Sequence, residues 1–438
     1  MRMRFLPDEP IQKHEADLLG LGEFVQLIQM AVEDTTPPFV FGLLGDWGTG
    51  KTSILHLLAD SFAPRFVSIR FNAWLYENEA NVVYPLLHAI KKSYEENVPQ
   101  RVQEENFLRS FTRVASSVAV SLADLGLRVV TKKTTGESLS LKDIAENIER
   151  VEAEEDEPIE KILGKWVDEV NNLQSAFQQL LEVYTQEYSQ SRQIPASEIR
   201  FVLLIDDLDR CLPESALSLL ERIKNFLAVP PCIYVFALNP RTVYRGIQIK
   251  YQGLEIDGRE YLEKILSYSF YVPPPAPQKV AAFASSRLAE LIAETDNKNR
   301  FEPHFATFGE TLERCGFLNP RKIKRILNRF LLFLSRYEVE LAKFDLSNVV
   351  RLLILAEYYP ELFRFTIEGG PALADLRALN NEEFKVKAFE EKTGVSLGSI
   401  YLELRRMHAL FNLTDPLPAE EKCSLAEQAK KVFSIARI

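Results

Sequence analysis

The sequence predicts an α/β fold, a three-layer arrangement in which helices cover both faces of a parallel sheet. Short apolar runs, typical of buried strands, alternate with segments of helical spacing. About 130 residues separate the second apolar run (66–71) from the third (201–205), far more than one crossover helix needs. This interval indicates a large helical insertion. From residue 279 onward the spacing is nearly all helical, which indicates a C-terminal helical lid or bundle.

Each element follows from a local pattern. Helical spacing over 15–33 predicts a first helix, and Pro37 and Pro38 interrupt the chain after it. The strands predicted from apolar runs are 39–44, 66–71, 201–205, 232–238 and 267–272. The helices predicted next to them are 51–61, 159–188 and 214–228. The expected regions are 1–84 and 199–277 for the two parts of the sheet core, 85–198 for the helical insertion, and 278–438 for the helical lid and C-terminal helices.

Composition narrows the function classes. The net charge of −10 argues against nucleic-acid binding along the whole chain, because such binding needs excess Lys and Arg. A local basic stretch at 321–329 leaves DNA contact open. The four cysteines have no paired spacing, so they predict neither a zinc site nor a disulfide framework. The apolar stretch 114–130 contains Asp124 and Arg128, so we expect no membrane span and a cytoplasmic protein.

A glycine-rich turn between the first strand and the next helix carries the strongest motif. It reads Gly45, Asp46, Trp47, Gly48, Thr49, Gly50, Lys51, Thr52, with Ser53 following, and it matches G-x-x-x-x-G-K-[ST]. Backbone N–H groups in such a loop point at phosphate oxygens. Lys51 is expected to reach the β- and γ-phosphates, and the Thr52 hydroxyl is expected to bind Mg²⁺. For Trp47, packing within the loop and contact with a ligand or a neighbouring molecule both remain open.

Acidic residues follow the third predicted strand directly. Asp206 and Asp207 come at the carboxyl end of a parallel strand, the edge at which ligands bind. Attack on a γ-phosphate requires one group to hold the metal and another to orient or deprotonate water. We assign Asp206 to the metal and Asp207 to the water. Asp209 and Arg210 fit either a structural ion pair or a role in the site.

These motifs and several others together resemble the KAP family of P-loop NTPases, near the STAND and AAA-like ATPases. The segments that carry the resemblance are DEPI (8–11), ADLLGLGEF (16–24), GDWGTGKTS (45–53), FNAWLY (71–76), LLIDDLDRC (203–211), YVFALNP (234–240), YLEKIL (261–266) and NPRKIKRILN (319–328). Each segment is weak alone, but their order and joint presence over residues 8–330 are specific.

The resemblance implies ATP and Mg²⁺ as ligands. It also implies an additional strand between the phosphate-loop strand and the acidic strand, an arrangement that FVSIRF (66–71) fits. Asn239 matches a residue that senses the γ-phosphate, although Asn-Pro is also a plain turn signal. Arg321 or Arg325 would reach the phosphates from a helical lid, or would form a basic helix face. By resemblance alone, residues 18–24 flank the adenine.

The resemblance also bears on membrane and biological context. Many members of the family carry transmembrane helices between the phosphate loop and the acidic strand, whereas the interval here is too polar for that. Bacterial members are often linked to defence against phage, which is an association of the family.

Four functional interpretations remain open. The first is an Mg²⁺-dependent ATPase that drives a larger assembly. The second is a slow switch or scaffold in which ATP binding orders the lid and promotes oligomerisation. A kinase is disfavoured because no arginine-rich acceptor lid is present, and a DNA-stimulated ATPase is disfavoured by the acidic balance.

Partners are expected on two grounds. Hydrolysis would call for a homo-oligomer with a trans-acting arginine, for which Arg210, Arg222 and Arg245 are the candidates; Arg222 lies on the polar face of its helix, free to point at a neighbour. A partner effector protein is expected because no nuclease, protease or deaminase signature accompanies the motifs.

Overall fold

The computed structural model describes residues 5–77, 83–100, 105–123, 159–252, 256–292, 303–315, 319–360, 363 and 425–436. The chain forms two compact units. The sheet unit contains Phe24–Trp47 and Lys51–Val272, and the helical unit contains Met1–Glu23, Gly48–Gly50 and Pro273–Ile438. The tip of the glycine-rich turn therefore belongs to the helical unit, whereas both ends of the turn belong to the sheet unit.

Five parallel strands form the sheet in the order β2-β3-β4-β1-β5. The strands are β1 (Phe39–Leu44), β2 (Phe66–Asn72), β3 (Arg200–Asp206), β4 (Cys232–Leu238) and β5 (Tyr268–Tyr271). All five predicted strands are present, and β1 and β4 have the predicted bounds. The α/β class and the parallel sheet are confirmed.

The strand between the phosphate-loop strand and the acidic strand was assigned wrongly. In the sheet, β4 lies between β1 and β3, and β2 lies at the edge beside β3. Every residue of β4 is buried, as a strand covered on both faces requires. By contrast, β2 exposes Arg70 and carries Ser68, polar residues that an edge strand tolerates. An additional strand does separate β1 from β3, but it is 232–238 and not 66–71.

Helices of the sheet unit surround the strands. They are α1 (Gly22–Glu33, which begins in the helical unit), α2 (Lys51–Ser61), α3 (Val83–Asn97), α4 (Glu105–Ala123), α5 (Ile159–Arg192), α6 (Pro213–Arg222), α7 (Pro240–Lys250) and α8 (Gly258–Ile265). Buried side chains of β1–β4 share one apolar core with side chains of α3, α5 and α6. This core fixes the strands whose carboxyl ends carry the predicted site.

The first helix is shorter than predicted. Spacing over 15–33 predicted a helix throughout, but α1 begins at Gly22. The carboxylate of Asp17 accepts hydrogen bonds from the N–H groups of Gly20 and Gly22, each at 2.9 Å. Gly20 has φ of +76°, which a right-handed helix cannot contain. The apolar residues before Gly22 therefore lie in a turn.

The helical unit is built from α9 (Pro277–Ile292), α10 (Pro303–Cys315), α11 (Pro320–Arg336), α12 (Leu346–Tyr358) and α13 (Leu425–Ala436). Its core is aromatic and aliphatic, with Phe308, Phe330 and Phe333 fully buried. The α11 helix begins with an N-cap, because the side chain of Asn319 accepts from Lys322 N at 3.2 Å.

The acidic run 152–157 and Phe365, expected to form a solvated linker and part of an aromatic C-terminal region, lie outside the described residues, as do residues 124–130 of the apolar stretch and Cys423. Within the described part of the chain, no helix combines the length and the apolar character needed to cross a bilayer. The division into four regions stays a prediction.

Candidate functional site

The phosphate loop, residues 45–52, follows β1 and leads into α2. Gly45 N donates to Leu238 O at 3.2 Å, which ties the start of the loop to the end of β4. Gly48 and Gly50 have φ of +80° and +97°, a region that favours glycine. The side chain of Lys51 donates to the carbonyls of Gly45 and Asp46 at 2.9 and 3.2 Å. The loop is thus wrapped around the lysine ammonium.

Lys51 also has a charged partner that the sequence left open. Its Nζ lies 2.9 Å from Asp209 Oδ2, and the two side chains are 8% and 4% exposed. Asp209 occupies the 3-10 turn Leu208–Arg210 that follows β3. Of the two roles considered for Asp209, the ion pair is the one observed, and it is formed with the phosphate-loop lysine. A buried ammonium needs such a counter-ion, because an unpaired buried charge is strongly unfavourable.

Thr52 and Asp206 are neighbours. Burial raises the pKa of Asp206, whereas a hydrogen bond from the Thr52 side chain lowers it. The charges of Asp207 and Asp209 raise it further. A hydroxyl and a carboxylate are oxygen ligands of the kind that Mg²⁺ uses together with substrate phosphates and water. The chemistry of this pair therefore fits the predicted magnesium site. Among the described residues, no group of three or more His, Cys, Asp or Glu side chains is placed to hold a metal ion.

Asp207 has a constrained backbone and two hydrogen-bonding partners. Its φ of +56° lies in the left-handed region, which is uncommon for a residue with a side chain. Asn72 Nδ2 donates to Asp207 Oδ2 at 2.8 Å, and Arg210 Nε lies 2.9 Å from Asp207 Oδ1. Arg210 also stacks over the Trp74 ring at 5.1 Å. Asn72 was not identified from the sequence as a site residue. It is the last residue of β2 and pairs with Asp206, so the β2–β3 register places it beside Asp207.

Asn239 combines a structural contact with one directed to the phosphate loop. Its Oδ1 accepts from Arg241 N at 3.1 Å, which caps α7. Its Nδ2 lies 3.4 Å from Asp46 Oδ1. Asn239 therefore caps a helix, as the Asn-Pro pattern predicted, and its amide nitrogen also faces the phosphate loop. Its role as a γ-phosphate sensor stays a prediction.

Within the helical unit, the start of α11 touches the tip of the phosphate loop. Arg321 N lies 3.5 Å from Gly48 O. A Cβ on Gly48 would lie 2.6 Å from Arg321 Cβ and 2.7 Å from Asn319 Oδ1, so only glycine fits there. The Arg321 guanidinium pairs with Asp8 at 2.5 Å, whereas Arg325 pairs with Glu357 at 3.2 Å. Arg321 is thus the arginine that the structure brings to the loop.

Other predicted residues are placed differently from expectation. Trp47 is 59% exposed, whereas the Lys51 ammonium lies inside the loop. Both roles considered for Trp47 stay predictions. Arg222 is half-buried and donates to Ser218 Oγ at 3.3 Å, so the expectation of a free arginine there was wrong. Arg245 is exposed on α7.

The three arginines of the basic stretch 321–329 pair with two carboxylates. Arg329 joins Arg325 in pairing with Glu357, at 2.7 Å, and Arg321 has Asp8 as its partner. Nucleic-acid binding depends on cations that can replace the counter-ions of phosphate. Carboxylate pairing occupies these arginines, and DNA contact by the stretch stays a prediction.

A strand–glycine loop–helix unit followed by an acidic strand end defines a P-loop domain, a class that binds and hydrolyses nucleotides. The family model described as KAP family P-loop domain matches residues 23–337, and the chain belongs to that family. A comparison with curated proteins finds no match.

Proposed function

We propose that this protein binds ATP with Mg²⁺ and hydrolyses it. The observation that carries the proposal is the convergence of four side chains at the carboxyl edge of one sheet: Lys51, Thr52, Asp206 and Asp207. Parallel sheets bind ligands at this edge. Lys51 would exchange its contact with Asp209 for the β- and γ-phosphates, while the loop amides hold the remaining phosphate oxygens.

In this proposal, different residues bind the metal ion and orient the attacking water. Thr52 and Asp206 would hold Mg²⁺, which neutralises the charge that develops on the phosphate oxygens. Asp207 would orient the attacking water, since its carboxylate is the next one along the chain and is 15% exposed. Asn239, which follows β4, would contact the γ-phosphate. Arg321, which lies beside Gly48 in its own unit, is proposed as a further phosphate contact by resemblance to the family. Residues 45–53, including Trp47, Thr49 and Ser53, would form the nucleotide-binding segment.

Turnover would drive or switch a larger assembly, with a homo-oligomer and a partner effector as the expected components. A role in defence against phage is proposed only because bacterial members of the family are often linked to it. Among the trans-acting candidates, Arg245 is exposed, whereas Arg222 is half-buried and Arg210 is engaged by Asp207.

One observation favours the alternative of a slow nucleotide switch. Both oxygens of Asp207 already have partners, Asn72 and Arg210, and Lys51 is paired with Asp209. A site whose water-orienting carboxylate is occupied would turn over slowly until a partner displaces Arg210. In such a switch, Asp207→Asn would keep the biological output because ATP stays bound.

Labelled-ATP binding and phosphate release with and without Mg²⁺ test the proposal. We expect saturable, Mg²⁺-dependent binding by the wild type and its loss in Lys51→Ala. Lys92→Ala, an exposed change on α3, is the matched control and should bind as the wild type does. Failure of the folded wild type to bind ATP would refute the proposal. Binding with very slow release of phosphate would favour the switch.

A further inference from the structure

No step of the hydrolysis proposed above is assigned to the segment at the end of β2. It begins with Asn72, the last residue of the strand, and continues into the 3-10 turn Trp74–Tyr76. Parallel pairing sets Asn72 opposite Asp206, and Ala73 N donates to Asp206 O at 3.0 Å. The backbone at Asn72 is therefore fixed against the end of the acidic strand, one residue before Asp207.

Local hydrogen bonds fix which end of the Asn72 amide faces Asp207. Its Oδ1 accepts from the N–H groups of Trp74 and Leu75, at 3.0 and 3.4 Å. Backbone N–H groups only donate, so the oxygen must face them. The Nδ2 group then faces Asp207 Oδ2, at 2.8 Å. One side chain thus closes its own turn and donates to a carboxylate 135 residues away.

The two partners of Asp207 differ in rigidity. Asn72 has a short side chain on a paired strand, whereas Arg210 has a long side chain that is 40% exposed. A partly exposed ion pair contributes modestly, and its long arginine side chain moves more readily than a short side chain on a paired strand. The Asn72 contact is therefore the one that persists when Arg210 moves. It would hold Oδ2 and leave Oδ1 to face the water.

We infer that Asn72 is a positioning residue for hydrolysis, which acts by fixing the orientation of the Asp207 carboxylate. The inference rests on the proposed ATPase function. Small displacements of a reacting group lower rates by roughly 10- to 100-fold. Loss of the donor is therefore expected to lower kcat by at least about tenfold and to leave KM for ATP nearly unchanged, because Asn72 does not contact the phosphate loop in the described contacts.

Two substitutions separate positioning from turn formation. Asn72→Asp keeps an oxygen for the N–H groups of Trp74 and Leu75, but it replaces the donor with a second acceptor beside Asp207. Asn72→Ala removes both functions. Positioning predicts that Asn72→Asp lowers kcat at least as much as Asn72→Ala while it lowers the melting temperature less. Asn106→Asp makes the same chemical change on the exposed side of α4 and is the control.

A double-mutant cycle asks whether Asn72 acts through Asp207. Asn72→Ala should lower kcat in the wild type and have no further effect in Asp207→Ala. The inference is overturned if Asn72→Asp turns over within about twofold of the wild type, or if Asn72→Ala lowers kcat equally in both backgrounds. A wild type that binds ATP but never releases phosphate would overturn the ATPase proposal and this inference together.

Discussion

Two regions of the molecule bury side chains of opposite character. At the carboxyl edge of the sheet, Lys51, Asp209 and Asn239 are all buried. In the helical unit, the fully buried side chains of greatest volume are phenylalanines, including Phe330. Apolar burial stabilises a fold directly, whereas burying a charge carries a desolvation penalty that its partner only partly offsets. The contrast indicates that the helical core is selected for packing and the sheet edge for chemistry.

The largest expected effect on stability is in the helical core. Phe330→Ala should lower the free energy of unfolding of the helical unit by about 3–5 kcal/mol, since it removes an aromatic ring and leaves a cavity. Hydrogen exchange of the α11 amides, followed by mass spectrometry, measures the loss in that unit. Val339→Ala is the control, because Val339 is 91% exposed and should change little. A loss below about 1 kcal/mol would mean that the helices collapse around the cavity.

The buried ion pair at the sheet edge should respond differently. Asp209→Leu alone leaves the Lys51 ammonium buried without its counter-ion and should destabilise the sheet unit by about 3 kcal/mol. The double variant Lys51→Met/Asp209→Leu should recover most of that loss, because an apolar pair of similar volume carries no desolvation penalty. Urea unfolding, monitored by hydrogen exchange of the α2 amides, gives the free energy of unfolding of the single and the double variant. A double variant as unstable as the single one would show that the pair is needed for stability.

Turnover provides the third test. Asp207→Asn should lower kcat by about 100-fold, equivalent to about 2.7 kcal/mol, and retain ATP binding. The amide keeps the shape of the side chain but removes the negative charge that orients and accepts a proton from water. Asp60→Asn, the same change on the exposed side of α2, should leave turnover unaltered. Unchanged turnover in Asp207→Asn would remove Asp207 from the mechanism.

Local patterns were enough to predict the strands and the phosphate loop. The strands are mostly apolar runs bounded by turn residues, and the spacing from Gly45 to Thr52 has few structural explanations. The order of the strands in the sheet could not be predicted from local patterns. The sequence of β2 is compatible with either side of β3, and the choice depends on how α2 crosses the sheet.

Contacts between distant segments account for the other omissions. Asn72 and Asp207 are far apart in the chain, and only the β2–β3 register brings them together. Asp209 was recognised as a charged residue, but its pairing with Lys51 depends on the 3-10 turn after β3. The late start of the first helix, at Gly22, depends on the left-handed Gly20, which no periodicity reveals.

The smallest expected effect is on the rates at which one buried cysteine in each unit is alkylated. Burial raises the pKa of Cys232, in β4, to about 12 and that of Cys315, in α10, to about 11. At pH 8 both thiols are therefore protonated, and alkylation by iodoacetamide requires local opening. ATP with Mg²⁺ should slow alkylation of Cys232 by about tenfold, because ligand binding stabilises the native sheet unit. Cys315 should be affected less, and Lys51→Ala should show no protection at either thiol. Site-resolved mass spectrometry measures both rates, and equal protection of Cys232 and Cys315 would show that the two units open together.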